Sequence, residues 1–128
     1  MKKLIILLLA VMMLTACGQD KENGQGAVFV NIKAEEAKQI MDSQEGYIIL
    51  DVRTQEEYDE GHIPGAIQIS HEEIETRAEQ VLTDKDQLIL VYCRSGRRSK
   101  IAAEALAELG YTNIREFGGI IDWPYETE

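Results

Sequence analysis

Cys93 sits where a sulfur nucleophile would be made reactive. It ends the apolar run Leu88-Ile89-Leu90-Val91-Tyr92 and heads the segment Arg94-Ser95-Gly96-Arg97-Arg98-Ser99-Lys100. A buried strand that ends at a cysteine, followed by a short loop and a helix, puts the thiol at the carboxyl edge of a parallel sheet, where such sheets bind ligands. The loop N–H groups can converge on one point, and the helix start adds positive potential. Both favour a thiolate, as do guanidinium groups at Arg94, Arg97 and Arg98, and the thiolate is the nucleophilic form. Gly96 lets the backbone turn without a Cβ penalty. The expectation is an exposed thiol that ionises below the ordinary value of about 8.5 and faces an anion-shaped pocket. Four cations (Arg94, Arg97, Arg98, Lys100) surround it in a chain of net charge −10, a concentration that general solubility does not explain.

The elements that position this loop follow from apolar spacing. Ala27 to Ile32, Tyr47 to Leu50, Ala66 to Ile69, Leu88 to Tyr92 and Ile114 to Phe117 read as strands. Ala34, Ala37, Ile40 and Met41 share one helical face, as do Ile101, Ala102, Ala105, Leu106 and Leu109, with Gly110 as a C′ stop. Thr54-Gln55-Glu56-Glu57 predicts a capping box, with Gly61 ending the short helix. Ser70-His71-Glu72-Glu73 predicts a second box, opening a helix with Ile74, Ala78 and Val81 inward. Alternating strands and helices predict an α/β domain with a parallel sheet covered on both faces. Asp51 and Arg53, at a strand end, are expected to form an ion pair or hydrogen-bonded pair that fixes the loop. His62 is expected to secure its turn by a side-chain hydrogen bond, and His71 to lie on the surface. Phe117 and Trp123 are expected in the core. Neither histidine has a metal-ligand spacing.

Three ordered segments then resemble the rhodanese family. Cys93 to Ser99 is similar to its active-site loop, a cysteine heading six residues. Asp51-Val-Arg53 with Gly61-His62-Ile63-Pro64-Gly65-Ala66 looks like its upstream signature. Gly118-Gly119-Ile120-Ile121-Asp122-Trp123 resembles its closing motif. The resemblance implies a rhodanese-like fold, a central parallel sheet of about five strands with helices on both faces. It also implies a sulfurtransferase that carries sulfane sulfur as a Cys93 persulfide. The donor would be thiosulfate or a related small anion, and the acceptor a thiol or cyanide. Arg94, Ser95, Gly96, Arg97 and Arg98 would bind the persulfide and the donor, Asp51, Arg53 and His62 would support the loop, and no metal or organic cofactor would be needed.

Other readings of the same residues remain. A cysteine phosphatase or arsenate reductase needs arginine six positions after the cysteine, where this chain has Ser99. A persulfide carrier without turnover, or a binding module, would keep the same loop. A dithiol oxidoreductase wants a resolving cysteine, and position 96 is glycine.

The N-terminus carries its own message. Lys2 and Lys3, the apolar run Leu4 to Leu14, and Leu14-Thr15-Ala16-Cys17 resemble a bacterial lipoprotein signal peptide. The run is shorter than the roughly 20 residues of a membrane span. The expected division is a signal peptide at 1–16, a lipidated Cys17 with a flexible tether at 17–26, and one domain at 27–128. Cleavage leaves 112 of the 128 residues and takes the charge to −12, which suits one core and argues against nucleic acid. The expected product is a monomer outside the cytoplasm, anchored to a bacterial membrane through lipid on Cys17.

Overall fold

A computed structural model describes residues 28–128. The signal peptide, Cys17, the tether and Ala27 lie outside the described residues. Among the described residues no helix is long and apolar enough to cross a membrane.

The central strand shows why the sheet forms. Every residue of β4 (Ile89–Cys93) is buried. Ile89, Val91 and Cys93 face one core with Ala78 of α3 (Ile74–Val81) and Ala102, Ala103 and Leu106 of α4 (Arg97–Glu108). Leu90 and Tyr92 face the other, with Ala37 of α1 (Ala34–Ser43). A continuous apolar run is what a strand covered on both faces requires. Around β4 the order is β1-β5-β4-β2-β3, all parallel, with β1 Val30–Asn31, β2 Ile48–Asp51, β3 Ile67–Gln68 and β5 Ile114–Gly119. The five-strand α/β architecture is the expected one.

Local differences have local causes. The first strand shrinks to Val30–Asn31, which among the described residues pairs only with β5. Gly118 and Gly119 belong to β5 instead of following it, and Gly119 is the register partner of Cys93. The box at Thr54 opens α2 (Gln55–Glu60): its hydroxyl accepts the Glu57 N–H at 3.1 Å, and Glu57 accepts the Thr54 N–H at 3.1 Å. The box at Ser70 does not form. The Glu73 N–H goes to the Ser70 carbonyl at 2.8 Å, giving one 3-10 turn before α3, while the His71 N–H reaches back to the Val52 carbonyl. That tie draws His71 inward, so it is half-buried and not on the surface, and its Nδ1 is buried without a partner among the described residues.

The loop after β2 is anchored by a buried ion pair. Arg53 Nε and Nη2 donate to Asp51 at 2.9 and 2.6 Å, and Nη2 also donates to the Gly61 carbonyl at 2.7 Å. The Tyr92 hydroxyl donates to Asp51 Oδ2 at 2.7 Å and accepts the Ile63 N–H at 3.0 Å. Asp51→Ala would strand an arginine whose side chain is 6% exposed. Breaking such a pair costs about 3–5 kcal/mol. A urea unfolding curve is expected to show a loss of that size, and an unchanged midpoint would remove the pair from its anchoring role.

Candidate active site

Cys93 ends β4, and the chain turns at once into the loop 94–96 before α4 starts at Arg97. Gly96 is the turning point. Its φ of +113° lies in the left-handed region, which a side chain makes costly. With that turn, the Gly96 N–H donates to Cys93 Sγ at 2.9 Å. Gly96 is the one residue of the loop whose amide does so among the described residues, where the sequence led us to expect several. Ser99, buried in the first turn of α4, sets its hydroxyl 3.4 Å from the sulfur, with Sγ–H as donor.

Two expectations are corrected. Cys93 is 1% exposed, so the sulfur lies beneath the loop and not open at a pocket mouth. The inward alternation along β4 that buries Ile89 and Val91 carries Cys93 into the same core. Arg98 does not stand ready for an incoming anion. Its guanidinium meets Glu57 in a bidentate pair at 2.8 and 3.0 Å, joining α4 to the start of α2. Arg94, Ser95 and Arg97 are exposed. Lys100 stands 3.8 Å from Glu116, a carboxylate that is 0% exposed.

The supporting residues lie on the adjoining loop. Asp51 and Arg53 hold its start. His62 donates from Nδ1 to the Tyr58 carbonyl at 2.9 Å and stacks on the Tyr58 ring at 3.8 Å. The backbone of Glu128 exchanges hydrogen bonds with His62 in both directions. Phe117 and Trp123 are core residues, Phe117 packed on Tyr92 and Trp123 on Phe117. Sequence reasoning missed Glu116 and the pairing role of Glu57. The one available signal was a carboxylate inside Ile114-Arg115-Glu116-Phe117, a strand otherwise read as buried. Among the described residues no cluster of His, Cys, Asp and Glu is suited to a metal ion.

The sequence pattern of the rhodanese-like domain family matches residues 33–124, which takes in Cys93, its loop, Asp51, Arg53, Glu57, His62 and Glu116. The chain belongs to the rhodanese-like domain family. It is 38% identical over 112 residues to YrkF of Bacillus subtilis (strain 168), named as a proposed sulfur carrier protein, covering 87% of this chain and 60% of that relative. The chain therefore spans less than two thirds of that relative's length. It is 41% identical over 73 residues to the thiosulfate sulfurtransferase PspE of Escherichia coli (strain K12), covering 57% of this chain and 70% of PspE. A solved structure described as a rhodanese with anions from E. coli matches with TM-score 0.60 at 36% identity, over 64% of this chain and 96% of that one. These values carry the fold as well as the sequence, so this rhodanese-like domain shares the α/β fold of that solved neighbour.

The Glu57–Arg98 pair gives a pH signature. The Arg98 hydrogen bonds, with help from the Thr54 amide and hydroxyl, outweigh burial and hold the Glu57 carboxyl at about 2 against an ordinary 4.5. A carboxyl whose value is lowered by folding stabilises fully above its unfolded value and loses that contribution as pH falls through its folded one. The window is therefore from 4.5 down to about 2. Glu57→Gln keeps the cap but loses the ion pair, and solvent screening limits the expected loss to about 1 kcal/mol at neutral pH. Urea unfolding of both proteins across the acid range is expected to show that difference vanish near the bottom of the window. A gap that persists there would assign it to packing.

Proposed function

We propose that this domain is a sulfurtransferase that carries sulfane sulfur on Cys93. The observation that carries the reading is the Gly96 N–H held on Cys93 Sγ at 2.9 Å, at the mouth of a helix and inside the family's loop. The thiolate attacks the outer sulfur of thiosulfate or a related donor. The S–S bond of the donor breaks with its electron pair leaving on sulfite, and Cys93 keeps a persulfide. A thiol or cyanide then takes the terminal sulfur and returns the thiolate, which is covalent catalysis in two steps. The Gly96 N–H and the dipole of α4 offset the charge on sulfur. Because Cys93 is 1% exposed, the loop 94–96 must yield for a donor to reach it.

Ser99 argues against phosphate chemistry. The position where a phosphate cradle needs arginine holds a buried serine turned onto the sulfur. The burial of Cys93, together with the name of YrkF, favours a second reading: a carrier that hands sulfur to a dedicated partner and turns over slowly with small acceptors. The proposal includes a site of action outside the cytoplasm, with lipid on Cys17 as the tether, for which Leu14-Thr15-Ala16-Cys17 is the support.

Intact mass spectrometry after thiosulfate treatment is expected to show one added sulfur, absent in Cys93→Ser. A native protein that gains no mass would end the transfer reading. Loading without turnover on cyanide or a small thiol would select the carrier. For the tether, a labelled fatty acid fed to an expressing bacterium is expected to enter the native chain and not Cys17→Ser, and equal incorporation would refute lipidation there.

A further inference from the structure

Glu116 has no part in the transfer steps above, yet it lies directly behind the sulfur. It is 0% exposed on β5. Its Oε1 accepts Asn31 Nδ2–H at 2.6 Å, and its Oε2 accepts the Gly118 N–H at 2.9 Å and the Ser99 hydroxyl at 2.5 Å. Ser99 in turn accepts the Cys93 Sγ–H at 3.4 Å. A serine hydroxyl has one proton to give. The Gly96 and Gly118 carbonyls also lie within reach, at 3.0 and 3.4 Å, but the charged acceptor at the shortest distance takes it. The lone pairs of Ser99 are thereby left for the thiol. The result is an unbroken line of hydrogen bonds from sulfur through Oγ to a buried carboxylate.

We propose that Glu116 is a positioning residue that takes up the proton of Cys93 through the Ser99 hydroxyl. This rests on the persulfide reading above. The S–H bond of Cys93 breaks and its proton joins Ser99 Oγ, while the proton already on Oγ passes to Glu116 Oε2. Sulfur becomes the thiolate, Glu116 the neutral acid, and Ser99 is regenerated with its bond reversed, so that it donates to the sulfur. The net charge of the three groups stays at one negative, and no other reactant is consumed. The thiolate left after the acceptor departs recovers its proton along the reverse path.

The surroundings suit a charge that moves between two places. On the carboxylate side stand Lys100 of α4 at 3.8 Å, Asn31 of β1 and the Gly118 amide of β5. On the sulfur side stand the Gly96 amide and, further out on α4, Arg98, which is paired with Glu57. Two anions this close and this buried repel, and one proton shared along the line between them relieves that repulsion. A glutamate that only braced β1, β5 and α4 would have no bearing on how the reactivity of the sulfur changes with pH.

The test is the rate at which iodoacetamide alkylates Cys93 in the full chain, from acid to alkaline pH, read by mass spectrometry of the peptide that carries Cys93. The native protein is expected to show two rises separated by a plateau. Glu116→Gln, isosteric and uncharged, is expected to lose the lower rise, and so is Ser99→Ala. One rise in the native protein, or two rises persisting in either variant, overturns the proposal. If Glu116→Gln does not fold, the native profile and Ser99→Ala decide. Sulfur loading from thiosulfate, measured on the same native sample, separates the two ideas. Two rises without loading would sink the transfer reading and leave the proton path standing, whereas loading with a single rise would sink the proton path alone.

Discussion

The geometry at the sulfur depends on how closely the end of β5 approaches the loop that leaves β4. Gly119 pairs in register with Cys93, and a Cβ there would overlap the Arg94 carbonyl and lie 2.5 Å from Ser95 Cα. The φ of Gly119 is −129°, ordinary extended backbone, so what excludes a side chain is space and not conformation. Its neighbour Gly118 is the opposite case, with open space around it and a φ of +89° that favours glycine. The Ile121 N–H adds a bond to the Arg94 carbonyl at 3.2 Å. With the loop pinned from β5, Gly96 can turn its amide inward onto the sulfur. A pair of glycines far along the chain thus fixes the distance between a thiol and its donor.

Two buried carboxylates frame this site, and they are handled differently. Asp51 has a full cation beside it, with Arg53 Nη2 at 2.6 Å, and a phenol on the same oxygen. Burial pushes the Tyr92 hydroxyl well up from its ordinary range, and its bond to Asp51 pushes the same way, so Tyr92 remains a donor there. That arrangement is static: every partner has a matching charge or proton, and breaking it costs stability. Glu116 is held by neutral donors, and its nearest cation is an exposed lysine at 3.8 Å. Desolvating a charge that is only partly compensated is expensive. In the proposed proton path, this carboxylate is the end that receives the proton of Cys93.

Much of the architecture was legible because burial writes itself into local patterns. The apolar run before Cys93, the helical faces of α1 and α4, and the cap at Thr54 each follow from a few consecutive residues. The second cap failed because a tertiary bond, His71 N–H to the Val52 carbonyl, pulled the chain into a tighter turn before the serine hydroxyl could act. The edge strand β1 shrank because it has, among the described residues, one neighbour instead of two. At the site, the place of Cys93 was readable, but its depth was not. The alternation along β4 turns Cys93 inward, but how closely the loop covers it depends also on Gly119, 26 residues downstream. The Glu57–Arg98 pair was equally hidden, since 41 residues separate its partners and each had a sufficient local explanation.

The basic loop, read from sequence as one feature, divides in two. Arg98 and Lys100 face carboxylates of the chain itself, Glu57 and Glu116. Arg94 and Arg97 are exposed and have no ion-pair partner among the described residues. The first pair builds: it ties α4 to α2 and β5 around the sulfur. The second is left to act on what approaches. In a chain of net charge −10, a small dianion would be repelled from most of the surface, and two unpaired guanidinium groups over the loop give it one favourable way in. Under the proposed transfer, this division would let a buried thiol select an anionic donor. Attraction would then operate at the surface, where the arginines are, and chemistry beneath it, where one amide and one hydroxyl meet the sulfur.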